Sequence, residues 1–129
     1  LTADQLLAKA NQALASAKTS LAHDDVDGAC NRAYYAMFDA ARAALVLVKA
    51  GVPEEIAKTH DGLLRAFSLH LIKTNLFPIA LGKALRQVED FRLVADYKGD
   101  PIEANHAAWA VEQADLFLVE ITTRFVDSV

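Results

Sequence analysis

The chain has 129 residues, 53% of them hydrophobic and 23% charged, with a net charge of −4 at pH 7. That length suits one domain with its own core, and the acidic balance excludes a protein that grips duplex DNA through many phosphates. The single cysteine, Cys30, excludes an internal disulfide and a cysteine-based zinc site.

Glycine and proline are scarce, five and three residues, so long loops are not expected. Alanine is abundant and has the best intrinsic helix propensity. Composition alone therefore predicts an all-α protein. No apolar run reaches the roughly 18 residues of a membrane-spanning helix. No signal peptide is visible, and one cysteine fits a reduced cytoplasmic setting. No internal repeat, low-complexity segment or linker breaks the chain, so residues 1–129 read as one domain.

The first helix is predicted over 3–22. Thr2 and Gln5 have capping-box spacing, and Leu6, Leu7, Ala10, Ala13, Leu14, Ala17 and Leu21 recur at helical intervals. His23, Asp24 and Asp25 form a break whose aspartates suit an N-cap. The second helix is predicted over 25–50, stopped by Gly51 and Pro53. At 100° per residue it separates into two stripes. Tyr34, Met37, Ala41, Leu45 and Val48 share a packing side, and Arg32, Tyr35, Asp39 and Arg42 share the other.

A connector, "VPEEIAKT", leads to a third helix over 60–74, with Thr59 as N-cap, Leu63, Leu64, Phe67, Leu71 and Ile72 as its apolar side, and Asn75 as its stop. Pro78 opens a fourth helix in its first turn, running to about 97 and ended by Gly99. Asp100, Pro101 and Glu103 have the spacing of N-cap, first position and capping box for a fifth helix, running to about 126. Its segment "LFLVEI" is apolar almost all round, which predicts either a central position or half of a subunit interface. Short connections between such helices make an up-down antiparallel bundle of four to five members.

Three stretches in this order, "NRAYYAMFDAARAAL" on the second helix, "KTHDGL" entering the third and "RLVADY" closing the fourth, resemble the HEPN-domain family, most nearly its small stand-alone prokaryotic members. The resemblance covers nearly the whole chain. It implies a helical bundle, usually a homodimer, often paired with a minimal nucleotidyltransferase as toxin and antitoxin. Active members are metal-independent ribonucleases. They use an Arg followed four to six residues later by a His, with two subunits forming one cleft.

The matching place here reads Arg92-Leu93-Val94-Ala95-Asp96-Tyr97, with Tyr97 standing where the His is expected. The substitution matters chemically. Cleavage without a metal needs one group to take the 2′-OH proton and another to protonate the leaving oxygen. An unperturbed His, pKa about 6.5, serves either role near neutral pH, whereas a Tyr near 10 is a poor base.

The candidate residues each carry a plainer alternative. Arg92 and Asp96 line the cleft or pair with each other one turn apart. Tyr97 takes part in chemistry or packs against the last helix. Arg32, Tyr35, Asp39 and Arg42 face Arg92 across the cleft, with Arg32 toward phosphate and Tyr35 toward a base, or form a solvated ion-pair stripe. His60, at a helix N-terminus where free N–H groups favour anions, is the nearest acid–base group or a surface His. Arg65 and His70 also spell the Arg-x4-His spacing, but about 140° apart on an α-helix they should diverge. His23 and His106 read as surface residues near helix ends. No set of residues has convincing metal-ligand spacing and no cofactor is expected.

Three functions compete on these grounds. The first is a dimeric module that binds nucleotide, single-stranded RNA or a nucleotidyltransferase partner within a toxin–antitoxin-type pair. The second is a metal-independent ribonuclease toxin using Arg92 with Tyr97 or His60. The third is a helical scaffold without a ligand.

Overall fold

The structure, a computed structural model, describes residues 1–99 and 101–127. Among these residues there are helices and turns and no strand. Helix α1 spans Ala3–Ala22, α2 Val26–Leu47, α3 Glu54–Ala57, α4 His60–Phe67, α5 Ile79–Leu93 and α6 Ala104–Ile121. Three of them run on into π-helical turns, α4 through Ser68–Ile72, α5 through Val94–Lys98 and α6 through Thr122–Val126. The expected all-α bundle is what the chain adopts.

The starts of α1 and α2 have a local cause. At α1, Gln5 N donates to Thr2 Oγ1 at 3.1 Å and Thr2 N donates to the Gln5 side chain at 2.9 Å, completing the capping box. Gly28 N donates to the Asp25 carboxylate at 3.0 Å and fixes the start of α2. Glycine does not mark the first three long helix ends. The α1, α2 and α4 segments close with paired i→i−5 and i→i−3 hydrogen bonds, and Asp24, Lys49 and Asn75 take the left-handed conformation, φ +62°, +54° and +61°. The second helix accordingly stops at Leu47, short of Gly51.

The fifth predicted helix starts later than its capping signals imply. Asp100 lies outside the described residues. Pro101–Glu103 is non-helical because Ile102 N is drawn to the Asp27 side chain of α2 at 3.3 Å, and α6 begins only at Ala104. In "LFLVEI", Phe117, Leu118 and Ile121 are buried while Leu116 and Val119 are exposed, so the segment is covered on one side only.

Helix α2 is the axis of the bundle and packs against α1, α4, α5 and α6. Its alanines make this possible. Ala29, Ala33, Ala36, Ala40 and Ala44 are fully buried, as are Ala10 and Ala17 of α1, and side chains this small let the two helices pack closely. The bulk of the core lies at the other end. Phe67, Phe77 and Phe117 form a triangle with ring centroids 4.9–5.5 Å apart, joining α4, the turn before α5, and α6.

Candidate functional site

Polar side chains converge where α2, the start of α4 and the second half of α5 meet. Thr59 places the α4 contribution. Its hydroxyl accepts from Gly62 N at 3.1 Å and donates to Ile56 O at 2.8 Å. Gly62 is required for that closure, since a Cβ there would stand 2.2 Å from Ile56 O and 2.5 Å from Thr59 Oγ1. The cap sets His60 at the first position of α4, facing α2.

His60 Nδ1 lies 2.8 Å from the Tyr34 hydroxyl and 3.9 Å from Glu89 Oε2. The Glu89 carboxylate lies behind both groups, and the His60 ring is 40% exposed. Tyr34 itself is fully buried. Burial, then the charge of Glu89, holds its phenol far above its ordinary pKa, so it stays protonated. Phe38 closes the aromatic wall, its ring edge-on to His60 at 5.4 Å.

Arg92 completes the group from α5. Its Nη2 donates toward the Glu89 carboxylate at 3.4 and 3.5 Å, and its Nη1 donates to Asp96 Oδ2 at 2.8 Å. The guanidinium carbon stands 5.0 Å from the Tyr34 ring centroid and 5.9 Å from that of Tyr35. Burial opposes its charge, but Glu89, Tyr35 and Asp96 outweigh this, and it remains a cation. Its buried Nε has no hydrogen-bond partner.

The structure thus brings Arg92, Asp96, His60 and Tyr35 together, and the Arg92–Asp96 pairing one turn apart is present. It places the other candidates elsewhere. Arg32 is exposed and donates to Asn31 at 2.9 Å. Asp39 is buried beside Arg42, Oδ1 to Nη1 3.7 Å, and Arg42 reaches on to Glu54 of α3 at 3.5 Å. Tyr97 is 81% exposed in the π turn after α5, so it does not pack against the last helix.

Arg65 and His70 both border one open depression with Asp61 and Leu69. The π turn at Ser68–Ile72 changes the helical phase and narrows the divergence expected of an unbroken α-helix. His23 Nδ1 lies 2.9 Å from Thr19 O, and His106 stacks on Phe91 at 4.6 Å. Among the described residues no cluster of three or more His, Cys, Asp or Glu is arranged to hold a metal, and no helix is long and apolar enough to cross a membrane.

Two contributors were not among the sequence candidates. Glu89 precedes Arg92 by three residues, so an acid–Arg–acid stripe at 89, 92 and 96 was there to be read. Tyr34 packs as expected, but its hydroxyl at the edge of the packing stripe carries the hydrogen bond to His60.

Two measurements test the electrostatics. Cys30 is fully buried, and burial, then Asp27, push its thiol up to about 12. Disulfide reagents at pH 8 should label it only as the chain unfolds, with rapid labelling in denaturant and negligible labelling without. Burial holds the Asp39 carboxyl above its ordinary value against the pull of Lys9 and Arg42. A raised folded pKa means stability is lost as pH rises from about 3.9, the unfolded value, through the folded one. Asp39→Asn should therefore gain on the parent chain between acid and neutral pH, read by urea melts at both.

The model of the HEPN domain matches residues 3–123. A UPF0332 protein of Gloeobacter violaceus is 32% identical over 94 residues, 73% of this chain and 71% of its own. Two proteins of Methanocaldococcus jannaschii, both named as candidate toxins, are 29% and 28% identical over 116 residues. They cover 89% and 90% of this chain, and 76% and 83% of their own lengths. Every residue of this cluster falls inside the matched span, and the chain belongs to the HEPN domain family.

Proposed function

We propose that this is a toxin-like HEPN protein that engages single-stranded RNA or a nucleotide at the Tyr34–His60–Glu89–Arg92 cleft. It acts as a homodimer in a toxin–antitoxin-type pair with a nucleotidyltransferase-fold partner. Two relatives named as candidate toxins support the class. The family resemblance supports the dimer and the partner.

The observation that carries the ligand is the uneven hold on Arg92. One arm, Glu89, is buried, with 8% of its side chain exposed. The other, Asp96, is 46% exposed and sits in a wide turn. A phosphate oxygen takes the place of the Asp96 carboxylate on Nη1, exchanging one anion for another, while Glu89 keeps the guanidinium plane fixed. Tyr35, half-buried beside it, offers a ring to a base.

Asp96→Asn, which removes the competing anion, should tighten binding of a fluorescein-labelled single-stranded RNA by about twofold to fivefold. Arg92→Lys, which keeps the charge and loses the fork, should weaken it. Fluorescence polarisation reads both, and binding indifferent to both changes rules the site out.

One observation favours cleavage as a second reading. His60 is oriented by Tyr34 and backed by Glu89, the arrangement a general base needs. His60 then takes the 2′-OH proton, the 2′-oxygen attacks the phosphorus as Arg92 stabilises charge on the phosphate, and the bond to the 5′-oxygen breaks with solvent protonating that leaving oxygen. RNA cleavage in chelator, lost in His60→Ala with binding kept, distinguishes it from binding alone.

A further inference from the structure

We propose that a second surface, the groove between α4 and the first half of α5, docks an acidic amphipathic segment of a different protein. Leu64, Phe67, Ile72 and Leu85 line a depression of about 200 Å³, with Ile79 at its mouth, 54% exposed. Gly82 lines the same depression, and a Cβ there would stand 2.8 Å from Ile72 Cδ1 and displace the end of that side chain. Lys83 and Arg86 form the rim. Both are exposed, and neither is paired with a carboxylate among the described residues.

No acidic residue lines the groove. In a chain of net charge −4 this is a local reversal of sign against an apolar floor. It specifies a partner surface with apolar residues at helical spacing and carboxylates flanking them. A second copy does not meet that description. A two-fold pairing of grooves sets Lys83 and Arg86 of one protomer against the same cations of its partner. Docking of the groove on the exposed Leu116–Val119 face of α6 is head-to-tail, which builds a ring or a filament and not a two-fold pair, and that face offers no carboxylate pattern shown to match Lys83 and Arg86. The inference is independent of what the His60 cleft binds.

The test uses two labelled synthetic helices with leucines at i, i+3, i+4 and i+7, one with glutamates and one with lysines at the remaining positions. The intact chain should bind the acidic helix about tenfold tighter than the basic one. Raised salt should weaken the complex, and Lys83→Glu with Arg86→Glu should invert the preference. Ile79→Ser, at an exposed position that leaves the fold intact, should weaken the acidic helix while RNA affinity stays unchanged. Equal binding of both helices, no binding of either, or no response to charge reversal overturns the proposal. So does dissociation of the native oligomer in the charge-reversed variant, which would make the occupant a second copy.

Discussion

Arg92→Ala is expected to lower the melting temperature by about 10 °C, whatever it does to RNA. The side chain is 9% exposed and lies against Glu89, itself 8% exposed. Removing the guanidinium leaves the Glu89 carboxylate buried without its permanent cation, only Tyr34 and His60 remaining beside it, and breaking a buried pair from one side costs about 3 kcal/mol. For a chain of this length each kcal/mol moves the midpoint by roughly 3–5 °C. The Tyr34 ring also loses the cation 5.0 Å from its centroid.

The cost belongs to the stranded carboxylate and not to the lost attraction, so it is recoverable. The double variant Glu89→Leu with Arg92→Met should melt much closer to the parent, because neither charge remains to be solvated. Thermal melts of the three proteins check this, and a double variant as unstable as Arg92→Ala refutes the account. The result also governs how loss of activity is interpreted. An Arg92→Ala protein that fails to bind RNA is informative only at a temperature where its fold persists, which makes Arg92→Lys the better functional probe.

Phe117→Ala should cost about 4 kcal/mol, close to 15 °C. Phe117 is fully buried and touches Phe67 at 5.5 Å and Phe77 at 4.9 Å between ring centroids. It is the keystone between α4, the turn before α5, and α6. Those two neighbours are set on separate segments, each fixed by its own packing, so the cavity persists, and the aromatic contacts are lost as well. Val119→Ala is the control. Two residues along the same helix and 55% exposed, it should change stability by less than about 0.5 kcal/mol. Chemical denaturation of both variants tests the pair, and similar losses in the two would contradict the packing described.

The bundle was legible because its causes are local and repeated. Thr2 with Gln5, Asp25, and Thr59 each sit at the start of a helix and cap it. Helix ends were harder to place. Lys49 carries no sequence signal for a left-handed turn, and the pull of Asp27 on Ile102 is a contact between residues far apart in sequence.

The site was half legible. Arg92, Asp96 and His60 were marked by the resemblance, and their assembly follows from the helices that carry them. The stripe reading of α2 assumed a helix with one wet face. In the fold, α2 is enclosed by four neighbours. Asp39 is therefore buried beside Arg42 while Tyr35, one turn earlier, stands beside Arg92. Glu89 was missed because an acid next to Asp90 in a helical pattern looks like solvent-facing charge, and only the buried guanidinium against it shows otherwise.

The three left-handed corners at Asp24, Lys49 and Asn75 have a consequence for how this sequence is free to change. Aspartate and asparagine tolerate that conformation, but lysine has no such excuse. Glycine is admissible at all three and relieves conformational strain, most of all at position 49. A β-branched residue at any of them pushes the chain the other way. Sequence drift at these corners is therefore asymmetric, and the chain holds unspent stability in a turn that touches neither cleft nor groove.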